Sequence, residues 1–143
     1  MRLIDADVLV YAVNAGSALH EPSRTWLERA LREPETLLMP WLSLIAFTRI
    51  TTNPRIASPA LSPEDALAVV EGWLARPQVV VPEPDARHAQ HMRELLAANG
   101  GRGGDLVNDA HLAALALQYR ATVVTFDNDF GRFPGVRWER PGA

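Results

Sequence analysis

Short apolar strand segments alternate with helical patterns along almost the whole of this chain. The strand segments are Arg2 to Asp5, Thr36 to Met39, Val79 to Val81, Ala121 to Phe126 and Val136 to Trp138. Such alternation is typical of an α/β fold in which helices cover a central, mainly parallel sheet. With 143 residues and 48% hydrophobic composition the chain can bury a core, so we expect a single domain over residues 1–143.

The helical segments have recognisable start and stop signals. They are Val8 to Ala15, Glu21 to Glu33, Trp41 to Thr52, Ser62 to about Ala75, Asp85 to Asn99 and Asp105 to Tyr119. Asp7 and Ser62 stand where a side-chain oxygen can accept a hydrogen bond from a free N–H group at a helix start. Asn53-Pro54 ends the helix before it, because the residue before a proline avoids the α region.

The absence of two residue types removes several kinds of chemistry. The chain has no Cys, which excludes disulfides, thiolate zinc sites and Cys nucleophiles. All 14 basic residues are Arg, and the lack of Lys excludes P-loop, Schiff-base and pyridoxal chemistry. A net charge of −3 argues against strong non-specific binding of nucleic acid through the overall field, although Arg is well suited to phosphate contacts.

Nothing in the sequence suggests a membrane partner. The longest apolar runs, such as Thr122 to Phe126, are far shorter than a membrane span, and the first residues lack a signal-peptide pattern. We therefore expect a cytoplasmic protein.

Several Asp residues stand beside apolar residues, where an unpaired carboxylate is costly. Asp5 ends the first strand and Asp127 comes after the fourth, and ligand sites in open α/β sheets lie outside the carboxyl ends of the strands. Asp109 lies on the helix between them, and its neighbours one and two turns away are apolar. The sequence therefore predicts that these three carboxylates meet at one sheet edge around a cation or an Arg partner.

The acidic residues also have purely structural interpretations. Asp7 and Asp105 stand where helix caps belong. The segment from Asp127 to Asp129 is a plausible turn, and Asp129 is placed to cap a single helical turn that extends through Phe133.

The four histidines do not indicate a site. His88 and His91 are three residues apart on a polar helix face, a spacing more typical of solvated surface than of metal ligands. His20 and His111 have no partner at ligand spacing. No Ser-His-Asp arrangement is evident, and the Gly100 to Gly104 loop lacks the preceding strand that a phosphate-binding loop requires.

Three segments together carry a family resemblance: Leu3 to Ala12, Asp109 to Ala116 and Val124 to Phe130. In order and spacing they resemble the PIN-domain ribonucleases, specifically the VapC toxins of bacterial toxin–antitoxin pairs. The resemblance implies a PIN-like three-layer α/β/α sandwich and cleavage of RNA that depends on Mg²⁺ or Mn²⁺. It also implies a cognate antitoxin protein that blocks the site, and a homodimer.

The resemblance also implies roles for particular acids. Asp5, Asp109 and Asp127 correspond to the metal-binding acids of the family, and Asp129 to a fourth acid of the catalytic site. The family usually places a Glu in the helix after the second strand, but the corresponding helix here contains no acid. Asp105 lies four residues before Asp109 on the same helix face, so we expect it to supply part of the missing charge to the metal. For the RNA backbone, the candidate contacts are Arg49, Arg55 and Arg102.

The sequence is also compatible with two other functions. The missing Glu is compatible with a non-catalytic PIN-like protein that only binds antitoxin or RNA. The segment Asp5-Ala6-Asp7 after a strand also resembles the nucleophile motif of haloacid-dehalogenase-type phosphotransfer enzymes, in which Asp5 accepts the phosphate covalently. That chemistry normally needs a Lys beside the phosphate, and the chain has none.

Two predicted helices, Glu21 to Glu33 and Trp41 to Thr52, carry more large apolar side chains than short helices on a small domain need to bury. We expect a groove between them that accepts an antitoxin helix. Its predicted lining is Trp26, Leu27, Leu31, Trp41 and Ile45.

Overall fold

Five parallel strands form the centre of the protein. The computed structural model describes residues 1–142. The strands are β1 (Arg2–Ile4), β2 (Leu37–Leu38), β3 (Val79–Val80), β4 (Thr122–Val124) and β5 (Trp138–Glu139). Their order in the sheet is β3-β2-β1-β4-β5, and every neighbouring pair is parallel. The predicted α/β fold with a parallel sheet is confirmed.

Helices connect the strands close to the predicted positions. They are α1 (Ala6–Val13), α2 (His20–Ala30), α3 (Trp41–Thr51), α4 (Pro63–Leu74), α5 (His88–Ala97) and α6 (Leu106–Tyr119), followed by a short 3₁₀ helix (Asn128–Arg132). The cap predicted at Ser62 is present, because its side chain accepts a hydrogen bond from the Asp65 N–H at 3.0 Å. Among the described residues, no helix has the length and apolar character that crossing a membrane requires.

The sheet separates two hydrophobic cores. One face packs against helices α1 to α4 and buries Phe47 and Trp73, whose rings meet edge to face at a centroid distance of 4.9 Å. The other face packs against α5, α6 and the 3₁₀ helix and buries Phe130. Leu3 and Ile4 of β1 lie in opposite cores, as expected for a strand whose successive side chains point to opposite faces. The result is the predicted three-layer α/β/α arrangement.

The helix caps near the acidic residues differ from the predictions. Helix α1 begins at Ala6, and its cap is Asp5, which accepts a hydrogen bond from the Ala6 N–H at 2.7 Å. Asp7 therefore lies inside the first turn, and its prediction as a cap was wrong. In the 3₁₀ helix the cap is Asp127, which accepts from the Asp129 N–H at 2.8 Å, so Asp129 is not the cap.

Among residues 1–142, the side chains predicted to line a groove between α2 and α3 do not form one. Helix α1 packs against both α2 and α3. Trp26 is only 8% exposed and Leu27 only 4%, because both side chains belong to the hydrophobic core. Trp41 and Ile45 on α3 remain 48% and 60% exposed. Trp41 and Ile45 on α3 are thus the exposed members of the predicted lining.

Candidate metal centre

The acidic residues singled out in the sequence gather at the carboxyl edge of the sheet. Ile4 pairs with Val124, and the Asp5 N–H donates to the Val124 carbonyl at 3.0 Å, so the segments after β1 and β4 leave the sheet side by side. The first turn of α6 adds Asp109. A cavity of about 680 Å³ opens at this edge, and its acidic lining is Asp5, Asp105, Asp109, Asp127 and Asp129.

Three of these carboxylates lie close enough to share a cation. Asp109, Asp127 and Asp129 each offer one oxygen atom, and the three oxygen atoms all lie within 4.8 Å of one another. All three residues are half-buried. The Arg132 Nε atom lies 3.4 Å from Asp129 Oδ1, but the Arg132 side chain is largely exposed. This close group includes Asp129, which was expected as a catalytic acid, and excludes Asp5.

Asp5 lines the same cavity but is held by the backbone and by Thr125. Its Oδ1 atom accepts from the Ala6 N–H at 2.7 Å, and its Oδ2 atom accepts from the Thr125 hydroxyl at 2.8 Å. Both oxygen atoms are therefore oriented before any ligand binds. Asp105 stands at the cap position of α6 with helical dihedral angles, but its side chain makes no capping hydrogen bond and is exposed at the rim.

Crowding makes the ionised form of these acids unfavourable. Burial raises the pKa of Asp109 to about 7, and the charges of Asp127 and Asp5 add to the rise. Burial also raises the pKa of Asp5, although the hydrogen bonds from Thr125 and Ala6 act in the opposite direction. A cation bound between these carboxylates would favour their ionised forms.

Comparison with known proteins agrees with this architecture. A model of the PIN domain matches residues 2–136. Ribonuclease VapC37 of Mycobacterium tuberculosis is 46% identical over 143 residues, an alignment that covers 100% of this chain and 99% of the relative. The chain belongs to the PIN-domain family. Within that family it groups with the VapC proteins, since Ribonuclease VapC43 of M. tuberculosis is also 38% identical over 99% of this chain and 95% of its own length.

Solved structures support the PIN fold. VapC20 of M. tuberculosis, described as a sarcin-ricin loop cleaving toxin, superposes with a TM-score of 0.68 at 21% identity and covers 96% of this chain and 99% of its own. VapBC2 from Rickettsia felis, solved with a promoter DNA fragment, has a TM-score of 0.68 at 21% identity and covers 97% of each chain. At these identities the likeness shows the shared fold.

Helix α3 of this PIN domain contributes no acid to the cavity. The α3 side that lines it presents Leu42, Ser43, Ile45, Ala46 and Arg49. Besides Arg49, the basic residues of the lining are Arg102 from the loop before α6 and Arg132 from the 3₁₀ helix. Arg55 is not part of the lining, so the structure does not bring it to the cavity. Arg132 was not singled out in the sequence, since only the fold brings the end of the 3₁₀ helix to this edge.

One acid of the PIN domain was assigned to the wrong role. Asp7 does not cap α1, and its Oδ2 atom accepts from the Phe126 N–H at 3.0 Å. Its Oδ1 atom is buried and has no hydrogen-bond partner among the described residues. Burial raises the pKa of Asp7 to about 7, and the charge of Asp5 adds to the rise. The sequence did contain a signal for the correct cap, because Asp5 also precedes the helical pattern and is a residue type that caps helices.

Two histidines also differ from expectation. His88 Nε2 and His111 Nδ1 lie 2.8 Å apart and join α5 to α6 across 23 residues of sequence. Their rings meet edge to face. Burial lowers the pKa of both side chains, which favours a neutral pair. The pairing is a helix–helix contact, and spacing along one helix could not reveal it.

Proposed function

We propose that this VapC-type PIN domain is the toxin of a toxin–antitoxin pair and hydrolyses RNA phosphodiester bonds with Mg²⁺ or Mn²⁺. The observation that carries the proposal is the group formed by Asp109, Asp127 and Asp129, whose carboxylate oxygens lie within 4.8 Å of one another. The names of the VapC relatives, which are ribonucleases, support the reaction.

The donor set fits Mg²⁺ or Mn²⁺. Mg²⁺ prefers carboxylate oxygens and retains several waters, and the cavity supplies carboxylates without any Cys or His in its lining. We assign Asp109, Asp127 and Asp129 as holding the metal, together with Asp5, and we assign Asp105 at the rim as a source of additional negative charge. When bound, the metal lowers the pKa of a coordinated water and stabilises negative charge on the phosphate.

The protein's own residues fix the centre and receive the substrate. Asp5 is held by the Ala6 N–H and the Thr125 hydroxyl, so its carboxylate needs little rearrangement on binding. Asp127 is held by its bond from the Asp129 N–H. Arg49 and Arg102 are exposed at the cavity, where their guanidinium groups can contact the phosphates that flank the cut.

The phosphotransfer alternative is less well supported than the nuclease. A phosphate attached to Asp5 would face Asp109 and Asp127 across the cavity. The chain has no Lys to neutralise it, and both Asp5 oxygen atoms already accept hydrogen bonds. The non-catalytic alternative is distinguished from the nuclease by an RNA cleavage assay.

The test is RNA cleavage by purified Asp109→Asn and Asp5→Asn variants. Each substitution removes negative charge and preserves shape, so we expect cleavage to fall by about 100-fold or more with the protein still folded. Asp65→Asn is the matched control, because Asp65 also lies in the first turn of a helix but is exposed and is not part of the cavity lining. Undiminished cleavage by either variant, or in EDTA, would contradict the metal-dependent reaction. No Mn²⁺-dependent cleavage by the wild type would favour the binding-only alternative.

We also propose an antitoxin protein as partner, a homodimer and a cytoplasmic location. The support for the partner is that structural relatives from R. felis and Salmonella typhimurium are VapBC structures. Exposed Trp41 and Ile45 on α3 provide apolar surface for a protein contact. Size-exclusion chromatography with light scattering, with and without the co-expressed antitoxin, measures both assemblies. A protein that stays monomeric at micromolar concentration would contradict the homodimer.

A further inference from the structure

Asp7 lies beside the acidic cavity but is not part of its lining. Its Oδ2 atom accepts a hydrogen bond from the Phe126 N–H at 3.0 Å, across 119 residues of sequence. Asp7 belongs to the first turn of α1, and Phe126 immediately precedes Asp127. The Asp7 carboxyl therefore connects the start of α1 to the segment that carries one of the proposed metal-binding acids.

Thr125 completes this connection from the other side. Its side chain is fully buried. Its hydroxyl donates to Asp5 Oδ2 at 2.8 Å and accepts from the Asp127 N–H at 3.0 Å. The Thr125 hydroxyl has one proton, and it donates that proton to Asp5. The Thr125 oxygen also lies 3.4 Å from Asp7 Oδ2, but the donor to this Asp7 oxygen is the Phe126 N–H. The segment from Thr125 to Asp127 is thus fixed at three successive residues.

Stability alone does not account for an acid at position 7. The Asp7 Oδ1 atom is buried with no hydrogen-bond partner among residues 1–142. A buried polar atom without a partner lowers the stability of the folded state. A buried atom of this kind in a native protein calls for an explanation, such as a functional role for the side chain that carries it. The bond that Asp7 does make is directed at the backbone of the metal centre.

We propose that Asp7 is a positioning residue for the metal centre. By holding the Phe126 N–H it fixes the segment from Thr125 to Asp127, and it thereby sets where the Asp127 carboxylate stands relative to Asp5 and Asp109. This inference rests on the proposed nuclease function, since it assigns Asp127 to the metal. Asp7 is absent from the cavity lining, so the proposed role is exerted through the backbone of Phe126.

The test compares Asp7→Ala with Asp7→Asn. Alanine removes the acceptor for the Phe126 N–H, whereas the Asn carbonyl keeps it. We expect Asp7→Ala to raise the Kd for Mn²⁺ alone about tenfold, measured by electron paramagnetic resonance of free Mn²⁺. The kcat for RNA should fall with little change in KM. Asp7→Asn should keep the Kd for Mn²⁺ within about threefold of the wild-type value, because the Asn carbonyl still accepts the hydrogen bond from the Phe126 N–H.

A second readout does not involve the metal. In metal-free protein, amide hydrogen exchange at Phe126 and Asp127 should accelerate in Asp7→Ala and remain slow in Asp7→Asn. Val70→Ala is the control for a merely destabilised protein, because Val70 is buried in the core between α4 and the sheet and is absent from the cavity lining. It should lower the Tm without changing Mn²⁺ affinity.

The outcomes separate this inference from the proposed function. Wild-type Mn²⁺ affinity in Asp7→Ala, with a lowered Tm like that of Val70→Ala, would overturn the positioning role. If Asp7→Ala does not fold, Asp7→Leu replaces it, because it also removes the acceptor for the Phe126 N–H and fills more of the buried space; unchanged Mn²⁺ affinity there would overturn the inference too. Undiminished cleavage by Asp5→Asn and Asp109→Asn would instead refute the nuclease proposal.

Discussion

The acidic residues at the two ends of the parallel sheet differ in whether they are paired with a cation. At the amino end, the Arg2 guanidinium binds Glu35 at 2.7 Å, and the terminal amine lies 3.1 Å from the same carboxylate. At the carboxyl end, the only cation within ion-pair distance of a cavity acid, among the described residues, is Arg132 beside Asp129 at 3.4 Å.

This difference in ion pairing distinguishes acids that stabilise the fold from acids that are available to bind a ligand. A carboxylate paired with Arg is satisfied within the chain, so it gains nothing from a metal. The ionised forms of crowded, unpaired carboxylates are unfavourable unless a cation is bound. The raised pKa of Asp109, about 7, reflects this. Charge compensation, rather than the number of acids, marks the functional end of this sheet.

The largest expected effect comes from removing one charge at each end. Asp127→Asn should reduce RNA cleavage by about 100-fold or more with little loss of Tm, because Asn still accepts the hydrogen bond that begins the 3₁₀ helix. Glu35→Gln should lower the Tm slightly and leave cleavage within about twofold, since a part-exposed ion pair contributes about 1 kcal/mol or less. Cleavage assays and thermal unfolding of both variants check the contrast. Equal effects on cleavage would remove the distinction between the two ends.

A second effect is the pH dependence of stability without metal. The pKa of Asp109 is about 7 in the folded protein, compared with about 3.9 for an unfolded Asp. Between these values the folded state binds more protons than the unfolded state, so the free energy of unfolding falls as pH rises from about 4 to about 7. In EDTA, the Tm should be several degrees higher at pH 5 than at pH 8.

The same measurement has a variant and a ligand control. Asp109→Asn should reduce the pH dependence, with the remainder due to Asp7, whose pKa is also about 7, and to Asp5, whose pKa is also raised by burial. Added Mn²⁺ should raise the Tm more at pH 8 than at pH 5, because the metal competes with protons for the carboxylates. A metal-free Tm that increased towards pH 8 would contradict the unpaired state of these acids.

The smallest expected effect concerns Asp105. Its side chain makes no capping hydrogen bond, so Asp105→Asn should leave the metal-free Tm unchanged. If it supplies charge to the centre across the cavity rim, the variant should need about threefold more Mn²⁺ for half-maximal cleavage. A Mn²⁺ titration of the cleavage rate measures this. An unchanged requirement would show that Asp105 has no part in metal binding.

The sequence predicts the fold well because its signals are local and repeated. Apolar strands and helices of the right length determine the parallel sheet, and the segments that leave parallel strands at their carboxyl ends lie at one edge. That rule was enough to predict that Asp5 and Asp127 approach each other, and the apolar surroundings of Asp109 pointed to the same cavity. These three residues line it together.

The remaining details depend on contacts that sequence spacing cannot show. By position in the sequence, Asp5 and Asp7 are equally good caps for α1. In the fold Asp5 is the cap, and Asp7 instead accepts a hydrogen bond from the Phe126 N–H, which is 119 residues away. The His88–His111 pair is likewise formed only when α5 meets α6. Trp26 resembles docking surface in the sequence, but in the fold it is buried in the hydrophobic core.

The pairing of β1 with β4 has a consequence for synthesis of the protein. Asp5 depends on a hydroxyl that lies 120 residues further along the chain, and Asp127 comes later still. A nascent chain that ends after α5 contains Asp5 but none of the other acids that line the cavity. The acidic cavity is therefore complete only after β4 and the 3₁₀ helix have been made, and a chain that stops before β4 lacks Asp127 and Asp129.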